Sequence, residues 1–448
     1  MWRSLCLSLL LGWLAVASAA ERRPNIVLIL SDDQGVVDIG ALGANDLRTP
    51  TLDRLVRDGV FFENAYVAAP VCSPSRAALL TGRYPMRCGV PTNAPSAPGH
   101  PGMPREELTI AELLKRAGYR TGLFGKWHLG TAAGYVPNDQ GFDEFFGFHA
   151  GCVDYWSHFF YWRTPHFHDL WHNRTPIHRD GRYLTDLIVE AAIRFVQTTP
   201  ARQPLFLYVA FNAPHYPMQA PQRDVAKFAH LPEPRRTYAA MIHAMDRAIG
   251  DLLDVLHSAG RLQNTVVFFL SDHGATLEAR AGGGGGSNGP YRGHKFSLFD
   301  GGIRTPLVAW APGRFARGVR RRSVVVSMDL YPTIAELAGV GLPEDRVIDG
   351  RSLVPLLGPS GTETAVHETL FWQLGPQRAV RHGPWKLVVR GRTDDGKILR
   401  GPDEYFLSYL PDDPGERHNL ALKEPERVRR LVELHERWLR QVRPPVAR

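Results

Sequence analysis

Short apolar runs that stop abruptly at polar residues recur through the first three-quarters of the chain. The run at 25–30 (Asn-Ile-Val-Leu-Ile-Leu) meets Ser31-Asp32-Asp33, and that at 119–124 meets Gly125-Lys126-Trp127-His128. The run at 205–211 meets Asn212-Ala213-Pro214-His215, and that at 265–270 meets Ser271-Asp272-His273-Gly274. Runs this short and this uniformly apolar predict strands buried on both faces. Helical patterns lie between them. One covers 51–58 and stops at Gly59; another covers 109–117, opens on the capping box Thr109/Glu112 and stops at Gly118. Longer helices fit 183–199 and 237–258. Alternating strands and helices predict an α/β fold, a large and mainly parallel sheet flanked by helices. Ligands of such sheets gather at the carboxyl ends of the strands, so one shared site would use all four polar run ends.

After about residue 360 the rhythm changes. Stretches at 369–373, 379–381, 385–390 and 405–410 read as short antiparallel strands joined by Gly, Pro and Asp turns. A closing helix over 426–442 puts Val428, Leu431, Val432, Leu434 and Leu439 largely on one side. The expected organisation is a catalytic domain over 20–360 and a smaller C-terminal α+β subdomain with a short antiparallel sheet over 361–448. Residues 1–19 carry a basic start at Arg3, an apolar core and Ala17-Ser18-Ala19, the pattern of a cleaved secretory signal. No stretch has the roughly 18 apolar residues that a spanning helix requires. A secreted, periplasmic or lysosome-like location follows, and Asn173-Arg174-Thr175 is a glycosylation sequon there.

The 448 residues are 44% hydrophobic and 22% charged, which excludes disorder as the main state. A formal charge of +8 favours anionic partners without choosing among sulfated sugar, anionic lipid and nucleic acid. Of four cysteines, Cys6 leaves with the signal; Cys88 and Cys152 could pair, and Cys72 is the odd one. A Gly-rich stretch, 282–289, formally contains GxGxxG and GxSxG, but lacks the strand-then-helix context of either and reads as a mobile loop. Residues 145–172 are rich in aromatics and histidine, suited either to a sugar pocket or to packing. His168 and His172 have helical metal spacing, but with no third ligand in sight a second metal is not expected.

The densest chemistry is Cys72-Ser73-Pro74-Ser75-Arg76-Ala77-Ala78-Leu79-Leu80-Thr81-Gly82-Arg83. A thiolate nucleophile beside Arg76 and an inert cysteine at a helix start both remain open from the residues alone. A structural zinc site lacks a second nearby cysteine. The segment resembles the signature of type I, formylglycine-dependent sulfatases in the alkaline-phosphatase-like superfamily, C-x-P-x-R followed by x-x-L-L-T-G-R. Further blocks match in order: PNIVLILSDDQG, TPTLDRLVRDGVFFENAY, GYRTGLFGKWHLG, GFDEFFGF, FNAPHYP, FLSDHG and GGIRTPLVAWAPG.

The resemblance implies that a maturation enzyme oxidises Cys72 to formylglycine, and that calcium is held by Asp32, Asp33, Asp272 and residue 72. Hard carboxylate oxygens suit that ion. The family usually has Asn where this chain has His273, a less natural calcium ligand. It also implies a hydrated aldehyde whose one hydroxyl attacks sulfur and whose other is deprotonated to expel sulfate. Arg76 would hold the formylglycine oxygens or the metal-side anions, and Lys126 and Lys295 would contact sulfate. His128 would act as base and His215 as acid. The expected activity is sulfate-ester hydrolysis on a sulfated carbohydrate, with no nucleic acid and no membrane span. Alternatives are a phosphomonoester or phosphonate monoester hydrolase of the same superfamily, and a non-catalytic sulfated-glycan binder.

Overall fold

The computed structural model describes residues 23–442, apart from 163, 362 and 364. Residues 1–19, read from the sequence as a secretory signal, and Cys6 within them lie outside the described residues. The strands are β1 (Asn25–Ser31), β2 (Val60–Tyr66), β3 (Arg120–Lys126), β4 (Glu144–Phe148), β5 (Phe159–Phe160), β6 (Phe167–His168), β7 (Trp171–His172), β8 (Thr175–Pro176), β9 (Leu205–Ala210), β10 (Thr265–Ser271), β11 (Leu307–Trp310) and β12 (Val319–Val326). Ten of them form one sheet in the order β12-β2-β11-β10-β1-β9-β3-β4-β7-β8, while β5 and β6 make a separate hairpin. The centre, from β10 through β1, β9 and β3 to β4, is parallel. Antiparallel β11 and β7 flank it, so the sheet is mixed towards its edges.

Period-two alternation decides which core each side chain joins. Val27 and Ile29 of β1 pack with helices Leu184–Thr198 and Arg235–Ser258 on one face. Ile26, Leu28 and Leu30 pack with helices Cys72–Thr81, Ile110–Arg116 and Leu330–Leu337 on the other. All seven residues of β1 are buried, as a strand covered on both faces requires. The capping box at Thr109 is present, with Thr109 Oγ1 accepting from the Glu112 amide and Glu112 Oε2 from the Thr109 amide.

The second sheet joins β13 (Thr369–Leu374), β14 (Gln377–His382), β15 (Trp385–Val389) and β16 (Tyr405–Tyr409), antiparallel throughout. Helix Pro425–Val442 covers it with Leu431, joined by His435, Trp438 and Val442, which the aliphatic pattern did not include. A buried ionic cluster locks this sheet to the main body. Lys386 Nζ lies 2.6 Å from Asp300 Oδ1 and 3.0 Å from Glu416 Oε1, all three side chains fully buried. Lys386→Met is expected to destabilise the fold by about 3–5 kcal/mol, because buried Glu416 loses its cation and buried Asp300 is left with Arg304, at 3.0 Å. A denaturant midpoint unchanged from the parent would refute this.

Candidate active site

Four neighbouring strands deliver their ends to one place. Asp32 and Asp33 follow β1, Lys126 ends β3 with His128 two residues on, His215 follows β9, and Asp272 and His273 follow β10. Cys72 opens a ten-residue helix, every residue of which is buried, and this points residue 72 at the same strand ends. Lys295 enters from the loop beyond the glycine-rich stretch. All ten residues singled out in the sequence therefore converge, each at most 5% exposed.

The contacts divide into two halves. In one, Arg76 Nε and Nη2 donate to Asp272 Oδ2 at 3.2 and 2.9 Å, Nη2 lies 3.5 Å from Asp32 Oδ2, and Nη1 donates to the Lys126 carbonyl at 3.1 Å. Lys126 Nζ donates to Asp32 Oδ2. Arg76 thus grips the acidic side of the site rather than residue 72. In the other half, Lys295 Nζ lies 2.9 and 3.1 Å from the two Asp33 oxygens, and His215 Nε2 lies 3.7 Å from Asp33 Oδ2. Cys72 Sγ sits between the halves, 3.9 Å from Asp32 Oδ1 and 3.4 Å from His273 Nε2.

Burial would raise the Cys72 thiol, but the ammonium groups of Lys126 and Lys295, with His128 and His273, outweigh it and hold the thiol well below its usual range. Burial raises Asp33 and Asp272, and their cationic neighbours only partly offset it. Burial lowers His128, and burial together with Lys295 lowers His215 well below the ordinary imidazole range. Both rings are consequently neutral near pH 7. His273 is the exception: burial would lower it, yet Asp272 and Cys72 lift it to about 9.

These residues fit a hard divalent cation. Asp32, Asp272, His273 and Cys72 offer ligand atoms within 4.8 Å of one another, as do Asp32, Asp33 and His215. The raised carboxyls Asp33 and Asp272 are short of positive charge, which a cation would supply. His273 Nδ1 donates to the Gly274 carbonyl at 3.1 Å, which leaves Nε2 facing the acidic cluster.

The sulfatase family model matches residues 24–340, and a model of the N-sulphoglucosamine sulphohydrolase C-terminal region matches 293–443. The chain belongs to the sulfatase family. It is 40% identical to N-acetylgalactosamine-6-sulfatase of Mus musculus over 76% of this chain and 68% of that protein. It is 34% identical to arylsulfatase A of Homo sapiens over 92% and 86%. Among solved structures, Ps i-CgsB superposes with a TM-score of 0.84 at 33% identity, covering 95% of this chain and 94% of that one. This sulfatase hydrolyses sulfate esters.

The sulfatase's Cys72 opens onto a cavity of about 500 Å³ lined by His128, His215 and Lys295 on the reactive side and by Phe160, Trp162, Phe167, Tyr216 and Phe296 around it. The 145–172 segment thus contributes Phe160, Trp162 and Phe167 to the cavity wall, whereas Phe145 and Phe148 pack in the two cores.

Several residues support the site in ways that the sequence did not assign: Ser73 and Tyr155 lay in segments singled out there without a role, and Gln377 gave no signal. Ser73 Oγ donates to the His128 carbonyl at 2.6 Å, and Tyr155 Oη to the carbonyls of Asn212 and His215 at 2.9 and 2.8 Å. Gln377 of the second sheet donates to the Phe296 carbonyl at 2.8 Å, propping the Lys295 loop. Asp33 and His128 adopt left-handed φ of 65° and 57°, strain typical of residues aimed at a reaction centre. Gly151 is required for space: a Cβ there would lie 2.5 Å from His128 Cε1. Gly151→Ala is expected to displace that ring and lower kcat about 10–100-fold. An unchanged kcat would show that the ring tolerates the shift.

The structure closes one possible cysteine pairing, separates two histidines and shows where one loop is anchored. Cys88 and Cys152 are both free thiols, so no bridge joins them. His168 and His172 lie on β6 and β7 rather than one helical turn apart, and His172 faces Glu144 at 3.8 Å. The 282–289 loop is anchored at its far end, where the Ser287 amide donates to Asp38 Oδ2 at 2.7 Å and Asn288 bonds Ala275 and Gly293.

Among the described residues, no helix is long and apolar enough to cross a membrane.

Proposed function

We propose that this sulfatase removes sulfate from a sulfated carbohydrate using formylglycine generated from Cys72 by a maturation enzyme, with one calcium ion bound by Asp32, Asp33, Asp272, His273 and residue 72. The observation that carries the reading is the position of Cys72, at a helix start, on the floor of the cavity, between the carboxylates and two buried lysines. Conversion of Cys72 to formylglycine would put the aldehyde oxygens at the end of this side chain in place of Sγ. A calcium ion held there would offset the charge of anionic oxygens and favour the ionised nucleophile, and formylglycine at residue 72 would supply, when hydrated, one hydroxyl for attack on sulfur and a second whose deprotonation would release sulfate.

The chain's own side chains do the rest. Lys126 and Lys295 bind the sulfate oxygens as point charges, and Arg76 holds Asp272 and Asp32 in place. His215 donates Nδ1–H to the Tyr216 carbonyl at 2.5 Å, which leaves Nε2 towards the cavity. Lys295 is one of the causes that hold the His215 ring neutral, so the negative charge of an incoming sulfate favours a proton on Nε2, where it can be given to the departing oxygen. His128, neutral from burial, accepts the proton from the second hydroxyl. Rings lining the cavity suit stacking on sugar faces. Sugar as substrate is further supported by the relative named for N-acetylgalactosamine 6-sulfate and by Ps i-CgsB in complex with k-i-k-neocarrahexaose. Residues 20–360 form the catalytic unit and 361–448 the unit that props its Lys295 loop. Residues 1–19 direct the chain into the secretory route.

Peptide mass spectrometry across residue 72 of active enzyme tests the nucleophile. The expected peptide has lost hydrogen sulfide and gained one oxygen relative to cysteine; a pure thiol in active enzyme overturns the reading. Matched aryl sulfate and aryl phosphate test the reaction class, since faster phosphate cleavage would favour the phosphatase-type alternative.

A further inference from the structure

Beside the substrate cavity, but separate from the catalytic cluster, two histidines and an aspartate from three different segments converge. His158 immediately precedes β5, His168 ends β6, and Asp180 lies in the connection between β8 and helix Leu184–Thr198. The β5–β6 register pairs Phe159 with His168, so both imidazoles stand at the root of this hairpin. Asp180 Oδ1 lies 3.5 Å from His168 Nε2 and 4.0 Å from His158 Nδ1, and the three residues offer ligand atoms within 4.8 Å of one another. These separations are long for hydrogen bonds. They are close to the ligand-to-ligand edge of a zinc tetrahedron, about 3.3 Å for bonds of about 2.0–2.1 Å.

His158 is organised as a ligand would be. Its side chain is fully buried, Nε2 donates to the Arg182 carbonyl at 3.1 Å, and Nδ1 makes no hydrogen bond. The Nε2 bond fixes the tautomer that leaves a lone pair on Nδ1, aimed at the cluster. The residue also holds a left-handed φ of 58°, a strained conformation that this placement demands. His168 Nε2 is likewise buried without a hydrogen bond. Burial lowers both imidazoles, which keeps them neutral as metal ligation requires.

We propose that His158 Nδ1, His168 Nε2 and Asp180 Oδ1 form a second, structural metal site for a borderline divalent cation, with Zn2+ the best match to two imidazoles and one carboxylate. Water completes the tetrahedron on the exposed side of Asp180, next to the His178 ring that packs 4.1 Å from that of His168. The ion would tie the hairpin to the following connection, and so stiffen the wall that presents Phe160 and Phe167 to the substrate. Nothing in this site depends on the formylglycine chemistry.

The test uses full-length, untagged enzyme with calcium saturating the catalytic site. Zn2+ uptake is measured by elemental analysis after equilibration at micromolar free Zn2+, and Co2+ is added in parallel as a spectroscopic probe. The expected result is one equivalent of bound Zn2+, together with the strong visible bands of four-coordinate Co2+. Both should disappear in His168→Ala and in Asp180→Asn while the calcium content stays the same. Absence of Zn2+ uptake by the parent enzyme, or uptake undiminished in folded variants, overturns the proposal. Should either variant not fold, X-ray absorption of the Zn2+-loaded parent decides: two imidazole ligands support the site, and none overturns it.

Discussion

Cys72→Ala is expected to abolish sulfate-ester turnover, by about 10^4–10^6-fold, with the fold retained. The rate figure is what removing a covalent nucleophile costs when the surrounding electrostatic groups stay in place. Retention of fold follows from the position. Residue 72 is the first residue of a buried helix whose end is capped by Gly82 and whose Leu79 and Leu80 anchor it in the core. Alanine keeps the helix and removes only the reactive terminal atoms of residue 72, at a cost of about 1 kcal/mol. Circular dichroism and thermal unfolding check the fold, and aryl sulfate turnover checks the chemistry. Lost activity in a folded, calcium-loaded variant supports a nucleophile at 72. Activity within tenfold of the parent removes Cys72 from the mechanism and turns attention to a hydroxide activated by the acidic cluster.

Asp33→Asn is expected to lose bound cation and activity together, with turnover down at least about 10^3-fold. Asparagine conserves volume but removes the charge that Lys295 meets at 2.9 Å and His215 at 3.7 Å. On the proposed assignment two contacts weaken at once: a cation ligand is lost, and Lys295, proposed to bind sulfate, loses its carboxylate partner. Thermal unfolding with and without calcium separates these effects. A ligand at about 100 times its Kd stabilises the parent by about 2.7 kcal/mol. The variant should show little of that increment, and a chelator should bring the parent down to the same level. Full activity of Asp33→Asn without added cation would refute the ligand assignment.

Much of this was legible in the chain itself, for reasons visible in particular residues. The apolar runs ending at Leu30, Phe124, Phe211 and Leu270 announced buried parallel strands, and all four occur within two residues of the expected bounds. Their polar ends named Asp32, Asp33, Lys126, His128, His215, Asp272 and His273 before any coordinates. β2, β4, β11 and β12 were not read. Val60–Tyr66 is interrupted by Glu63 and Asn64, and edge strand Val319–Val326 carries three arginines, of which Arg320 and Arg322 are exposed, so neither stretch is a uniformly apolar run.

The sequence alone thus determined the α/β architecture, the sulfatase signature and the residue types of the reaction, since these depend on local periodicity and on motifs contiguous along the chain. The tertiary structure decided which half of the site each cation serves. Arg76 turned to Asp272 and Lys295 to Asp33, pairings set by burial and by strand order, which brings β10, β1, β9 and β3 side by side despite their separation along the chain. It also decided that His168 belongs with His158 and Asp180 rather than with His172. A hairpin and a following connection made that neighbourhood, where a helical count along the sequence had found only two ligands.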